Sequence, residues 1–138
     1  MQRGRRIAFD YGDARIGVAI CDPDGILASP LPFLDAKHPK LIQHVALILD
    51  EYEPICIYLG EPKHLSGSGG VAVEKVHSFA ELLRDRFALP IVLIDERLST
   101  VDAQRKLREA GKSSKDSKSL IDSMAAVAIL ESGLSREN

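Results

Sequence analysis

Tryptophan is missing from these 138 residues, and other aromatic side chains are few, with three Tyr and four Phe. So sparse a set offers no visible platform on which single-stranded bases would stack. Only two cysteines occur, Cys21 and Cys56, each inside an apolar run with no CxxC or Cys/His cluster nearby. That spacing argues against zinc and for reduced core thiols rather than a disulfide. No run of eighteen apolar residues and no charged-then-apolar leader is present. The expectation is a cytoplasmic protein with no membrane partner. The glycine-rich stretch Leu65-Ser66-Gly67-Ser68-Gly69-Gly70 lacks the lysine and spacing of a Walker A loop, so ATP binding is not indicated, although a helix start there could receive a phosphate.

What is present is one domain's worth of apolar residues. At 45% hydrophobic, a chain of this size buries roughly 70% of the surface its unfolded form exposes. A single domain over residues 1–138 is expected. The net charge of −2 conceals basic clusters. Arg3, Arg5 and Arg6 crowd the start, and residues 97 to 118 carry seven Lys/Arg against three Asp/Glu. Such a stretch suits a polyanion, or is simply a solvated helix face.

Ile7 to Asp10 and Ile16 to Cys21 read as a hairpin turning through Tyr11-Gly12-Asp13-Ala14. Asp22-Pro23-Asp24-Gly25 signals a second turn, and Ile26 to Leu34 a third strand. Its Pro30 and Pro32 confine it to a sheet edge. Leu41 to Leu49 follows a helical period until Pro54, Ile55 to Leu59 is a buried strand, and Val71 to Phe87 is a second amphipathic helix. Ile91 to Ile94 makes the last strand. Ser99 with Asp102 starts a third helix ending at Gly111, residues 112 to 118 form a loop, and Ser119 with Asp122 caps a final helix from Leu120 to about Leu134. Right-handed crossovers then give an α/β fold, a five-stranded mixed sheet of order 3-2-1-4-5, strand 2 antiparallel, with helices on both faces.

Ligands of such sheets gather where the winding reverses, between strands one and four. Asp10 ends strand one there, after a run that should be buried, and a carboxylate in such a place needs a partner. It could merely cap its own turn. The ends of strands four and five add Glu61 and the pair Asp95-Glu96, and Asp122 can reach the same rim from the final helix. Each acid has a plain alternative: Asp122 as a cap, Asp95 and Glu96 paired with Arg97, Glu61 as an ordinary loop residue. Together they would repel one another unless a divalent cation neutralised them, and hard oxygen ligands suit Mg²⁺ or Mn²⁺. Arg15, Lys63, Arg97, Lys112, Lys115 and Lys118 are candidates for contact with a nucleic-acid backbone.

These segments carry a resemblance. Asp10-Tyr11-Gly12-Asp13-Ala14-Arg15-Ile16-Gly17-Val18-Ala19, Leu59-Gly60-Glu61-Pro62, Asp95-Glu96-Arg97-Leu98-Ser99-Thr100 and Asp122-Ser123-Met124-Ala125-Ala126-Val127 resemble the successive motifs of the YqgF family. This is the family of pre-16S rRNA nucleases and RuvX-type Holliday junction resolvases. The resemblance implies an RNase H-like fold and a phosphodiester hydrolase of two-metal type, with Asp10, Glu96 and Asp122 at the family's acidic positions. It implies structured RNA as substrate, in pre-16S rRNA processing, with branched DNA as the alternative; a homodimer is left open.

One departure stands out. The family usually has an apolar residue where this chain has Glu61. An acid ends strand four in the related RuvC-type resolvases, and strand four lies one spacing of about 4.8 Å from strand one. Glu61 is therefore an expected auxiliary metal ligand, although it could equally point outward. Two other classes remain: a nucleic-acid-binding module of the same fold without chemistry, and the sugar-kinase and actin type of phosphotransferase. The latter needs two lobes to enclose ATP, and one is available.

Overall fold

The structure is a computed structural model that describes residues 1–62, 70–95 and 114–137, the side chains of 114–122 excepted. Five strands form one sheet: β1 (Arg6–Tyr11), β2 (Arg15–Cys21), β3 (Ala28–Asp35), β4 (Cys56–Glu61) and β5 (Ile91–Asp95). The order is β3-β2-β1-β4-β5, with β2 antiparallel to β1 and β3, and with β4 and β5 parallel to β1. This is the order expected from the sequence. The prolines lie on the edge strand, where a missing N–H removes no ladder bond from a neighbour. Val18 pairs with Leu31 but Ile16 with Leu34. Pro32 and Phe33 therefore share the place opposite Gly17, a bulge in β3.

The period of two sorts the strand residues between two cores. Ile7, Phe9, Ile16, Val18, Ile57 and Leu59 face α1 (Leu41–Tyr52) and α2 (Gly70–Arg86), packing on Val45, Leu49, Val76, Phe79 and Leu83. Ala8, Ala19, Tyr58 and Ile94 face the other way, toward α3 (Ser114–Glu137) and its Ala126, Ile129 and Leu130. Small residues on both sides let this helix approach closely. Helix α1 closes on Glu53, which takes a left-handed conformation (φ 49°) and donates its N–H to the Leu49 carbonyl, and Pro54 stops further turns. Both thiols are free, and burial pushes each up from its ordinary value.

Helix α3 begins earlier than expected. The tract from Ser114 to Lys118 is helical, not a loop, and Ser119 with Asp122 lies inside the helix, Ser119 more than a turn from its start, rather than at a cap. Lys, Ser and Asp lower helix propensity by only tenths of a kcal/mol each, and no Gly or Pro interrupts the run. Packing of the apolar turns beyond Ser123 then carries the helix back through them. The expected helix from Ser99 to Gly111 lies outside the described residues.

Two features fix the lower end of α3. A β-carbon added at Gly133 would lie 2.6 Å from the Tyr58 ring, so only glycine permits this approach. A mid-helix Gly→Ala change ordinarily stabilises by up to ~1 kcal/mol. Here Gly133→Ala should instead destabilise by about 1–3 kcal/mol, because ring or helix must move; a urea midpoint above that of the parent would contradict this. Close by, Arg6 is only 1% exposed. Its guanidinium donates to both carboxylate oxygens of Glu137 at 2.8 and 3.2 Å and to the Gly4 carbonyl, and the Tyr58 hydroxyl also donates to Glu137. Arg6 is thus a core cation, not a member of a basic surface cluster. Arg3, by contrast, pairs in the open with Asp24.

Candidate functional site

The carboxyl ends of β1, β4 and β5 share one rim of the sheet, joined there by the start of β2 and the end of β3. Asp10 lies half-buried at this rim, in register with Gly17. Its neighbours Phe9 and Tyr11 both pack on Phe79 of α2, with ring centroids 6.1 and 5.0 Å away. Alternation therefore turns the Asp10 carboxylate to the opposite face, the one covered by α3.

Helix α3 descends from that rim. Its Glu137 end meets Arg6 at the beginning of β1, and Ala126 packs in the same cluster as Ala8 and Ala19. Asp122 precedes Ala126 by four residues, about 6 Å along the axis, and Asp10 follows Ala8 by two, about 6.6 Å along the strand. Both backbone positions thus lie at one level of the molecule, at the rim end. Ser123 locks this turn in place: it is 4% exposed, and its hydroxyl donates to the Leu31 carbonyl of β3 at 2.9 Å.

Glu61 is not brought to the same face. It continues the series Ile57, Leu59 toward α2, is 8% exposed, and its carboxylate is hydrogen-bonded to the imidazole of His77 on that helix. Asp95, its register partner, has the same parity. The expected grouping of Glu61 and Asp95 with Asp10 is corrected accordingly: all three occupy one rim, but the first two turn to α2 and Asp10 to α3. Strand spacing alone had placed Glu61 nearest to Asp10, but a strand's side chains alternate, and parity overrides proximity.

Farther along the rim, Lys75 forms an ion pair with Asp13 at 2.6 Å and holds that carboxyl below its usual range, with Lys37 adding to the effect. Arg15 begins β2 and lies over the Phe33 ring, 5.0 Å from its centroid. Lys115 and Lys118 belong to the first turns of α3. Glu96, Lys63, Arg97 and Lys112 lie outside the described residues. Among the described residues, no three His, Cys, Asp or Glu side chains converge to hold a metal ion. No helix among them is long and apolar enough to cross a membrane.

His77 and Phe33 were not singled out from the sequence. His77 borders the apolar stripe of Val73, Val76 and Ala80, a position from which an imidazole can reach a strand end. Phe33 sits beside two edge-strand prolines. Both signals are weak ones.

Comparison with known proteins places this geometry. The model of the RuvX family, described as Holliday junction resolvase, matches residues 4–136. A Streptomyces avermitilis protein named "Putative pre-16S rRNA nuclease" is 48% identical over 139 residues, covering 99% of this chain and 89% of that protein. A Streptomyces coelicolor protein of the same name is 50% identical over 143 residues, covering 99% and 83%. Among solved structures, RuvC of T. thermophilus in complex with a Holliday junction substrate aligns with a TM-score of 0.61 at 13% identity, covering 96% of this chain and 95% of that one. That likeness establishes the RNase H-like architecture expected from the motifs.

Proposed function

Because the chain belongs to the RuvX family, we propose that it is a metal-dependent nuclease that hydrolyses phosphodiester bonds in the cytoplasm, during processing of the 16S rRNA precursor. The observation that carries this reading is the Asp10 carboxylate, set at the carboxyl end of the central strand and facing the helix that bears Asp122. This is the switch point at which open sheets of this kind bind ligands.

Asp10, Glu96 and Asp122 would hold the ions. A half-buried strand carboxylate is a hard oxygen donor, and the donor set fits Mg²⁺ or Mn²⁺ better than a soft metal. Bound divalent cations supply an activated water and neutralise charge at the scissile phosphate. Glu96 directly follows the last residue of β5 in the sequence, and its part in the set rests on the family's motifs. The chain's own part is to fix these carboxylates, with Ser123 holding the turn next to Asp122. Glu61 is left with His77 on the other side of the sheet. Arg15, Lys63, Arg97, Lys112, Lys115 and Lys118 would steer the backbone phosphates.

End-labelled 16S precursor RNA and a four-way DNA junction, incubated in parallel with Mg²⁺, Mn²⁺ or EDTA, test this reading. The expected outcome is discrete RNA cleavage that EDTA abolishes. Cleavage of the junction alone would move the assignment to the branched-DNA activity that the family's description names. Neither cleavage nor calorimetric binding of Mn²⁺ would leave a binding module without chemistry.

A further inference from the structure

Phe33 has no part in either core and is 38% exposed on the edge strand. Its ring nevertheless has a partner, the Arg15 guanidinium at 5.0 Å. Their position explains the pairing. Phe33 belongs to the bulge opposite Gly17, and Gly17 is the register partner of Asp10. The row Asp10, Gly17, Phe33 thus crosses three adjacent strands, about 10 Å from first to last. Arg15 is two residues from Gly17 on β2, with the parity of Ala19 and Cys21, so it shares the α3 face with Asp10. The bulge makes this possible: with Leu31 and Leu34 both turned to the α1 and α2 side, the extra residue frees Phe33 for the other.

We propose that Phe33 is a positioning residue that presets Arg15 as a phosphate-binding arm for the nucleic-acid backbone, about 10 Å from Asp10. This rests on the nuclease reading above. At that distance the arm would engage a backbone phosphate close to the one under attack, within the reach of a single bound strand. Arg suits this role because its planar fork takes phosphate oxygens in pairs while its face stays on a ring. An arm held on Phe33 loses less freedom when the phosphate arrives. The ligand chemistry is the phosphodiester backbone, common to RNA and branched DNA.

The test uses the full chain with Asp10→Asn, so that substrates survive. Its affinity for fluorescent 16S precursor RNA and for a four-way DNA junction is followed by polarisation across a KCl series. An exposed cation–π contact is worth ~0.5–1 kcal/mol, so Phe33→Leu should weaken binding about two- to fivefold. Phe33→Trp should restore it, with thermal midpoints matched. Arg15→Ala should weaken binding more, and should lower the slope of log affinity against log salt by about one contact. In the Arg15→Ala background, Phe33→Leu should have no further effect. The RNA and junction arms show which backbone the site accepts.

An unchanged affinity in Phe33→Leu overturns the proposal. So does a Phe33→Leu loss that persists without Arg15, which would mean the ring contacts a base directly. If the Asp10→Asn protein binds neither substrate, this proposal falls, and the nuclease reading falls with it only where the parent also cleaves neither. Strong binding that ignores both residues removes only this one.

Discussion

Asp10→Asn should lower the rate of RNA cleavage by about a thousandfold or more, with the fold intact. Asparagine has nearly the same shape and can remain in β1 opposite Gly17, so what it removes is charge. If Asp10, Glu96 and Asp122 hold the cations, the neutral variant should also lose Mn²⁺ affinity in calorimetry. Its thermal midpoint should stay close to that of the parent, since the substitution preserves the shape of the side chain. Glu61→Gln supplies the contrast. Its carboxylate turns to α2 and bonds His77, so Mn²⁺ affinity and kcat should stay within about twofold of the parent, while weakening of that buried hydrogen bond costs about 1–2 kcal/mol. Full activity in Asp10→Asn would end the nuclease assignment. Loss of metal binding in Glu61→Gln would show that the strand-four acid reaches across the rim after all.

The second large effect concerns stability. Glu137→Ala should cost about 3 kcal/mol, because it leaves the Arg6 guanidinium 1% exposed and without its carboxylate. Glu137 is itself about one-third exposed (32%), which keeps the expected figure at the low end for a buried pair. For a chain of this length, that corresponds to a thermal midpoint lower by about 10 °C. Urea unfolding measures it directly. Removing both charges together, as Arg6→Met with Glu137→Leu, should be milder than Glu137→Ala alone, because no buried ion then stands unpaired. A loss below about 1 kcal/mol in Glu137→Ala would mean that water replaces the carboxylate.

The sheet order was readable because each of its determinants is local: a glycine turn between two apolar strands, a proline pair that belongs on an edge, and two continuous apolar runs alternating with helical periods. The start of α3 was not, since nothing local distinguishes a polar helical overhang from a loop when the stabilising contacts lie two turns further on. The orientation of Glu61 was present in the sequence but needed counting by twos from Ile57, whereas distance between strand ends suggested the opposite. The role of Arg6 was out of reach. Nothing near it announces a partner, and Glu137 is 131 residues away. Glu96 and Lys112 lie outside the described residues, as do the side chains of Lys115 and Lys118, so the part of Glu96 rests on the family's motifs.

That long-range clamp also bears on how the molecule would behave if it were cut. The first strand is held to the last helix by Arg6 and Glu137, and β4 to β5 by a parallel ladder, so neither half of the polypeptide has a complete interior alone. A single break in the chain after β4 and before α2 would leave both of these connections in place. Two separately expressed fragments, 1–69 and 70–138, should therefore reassemble on mixing, with Asp10 contributed by one and Asp122 by the other.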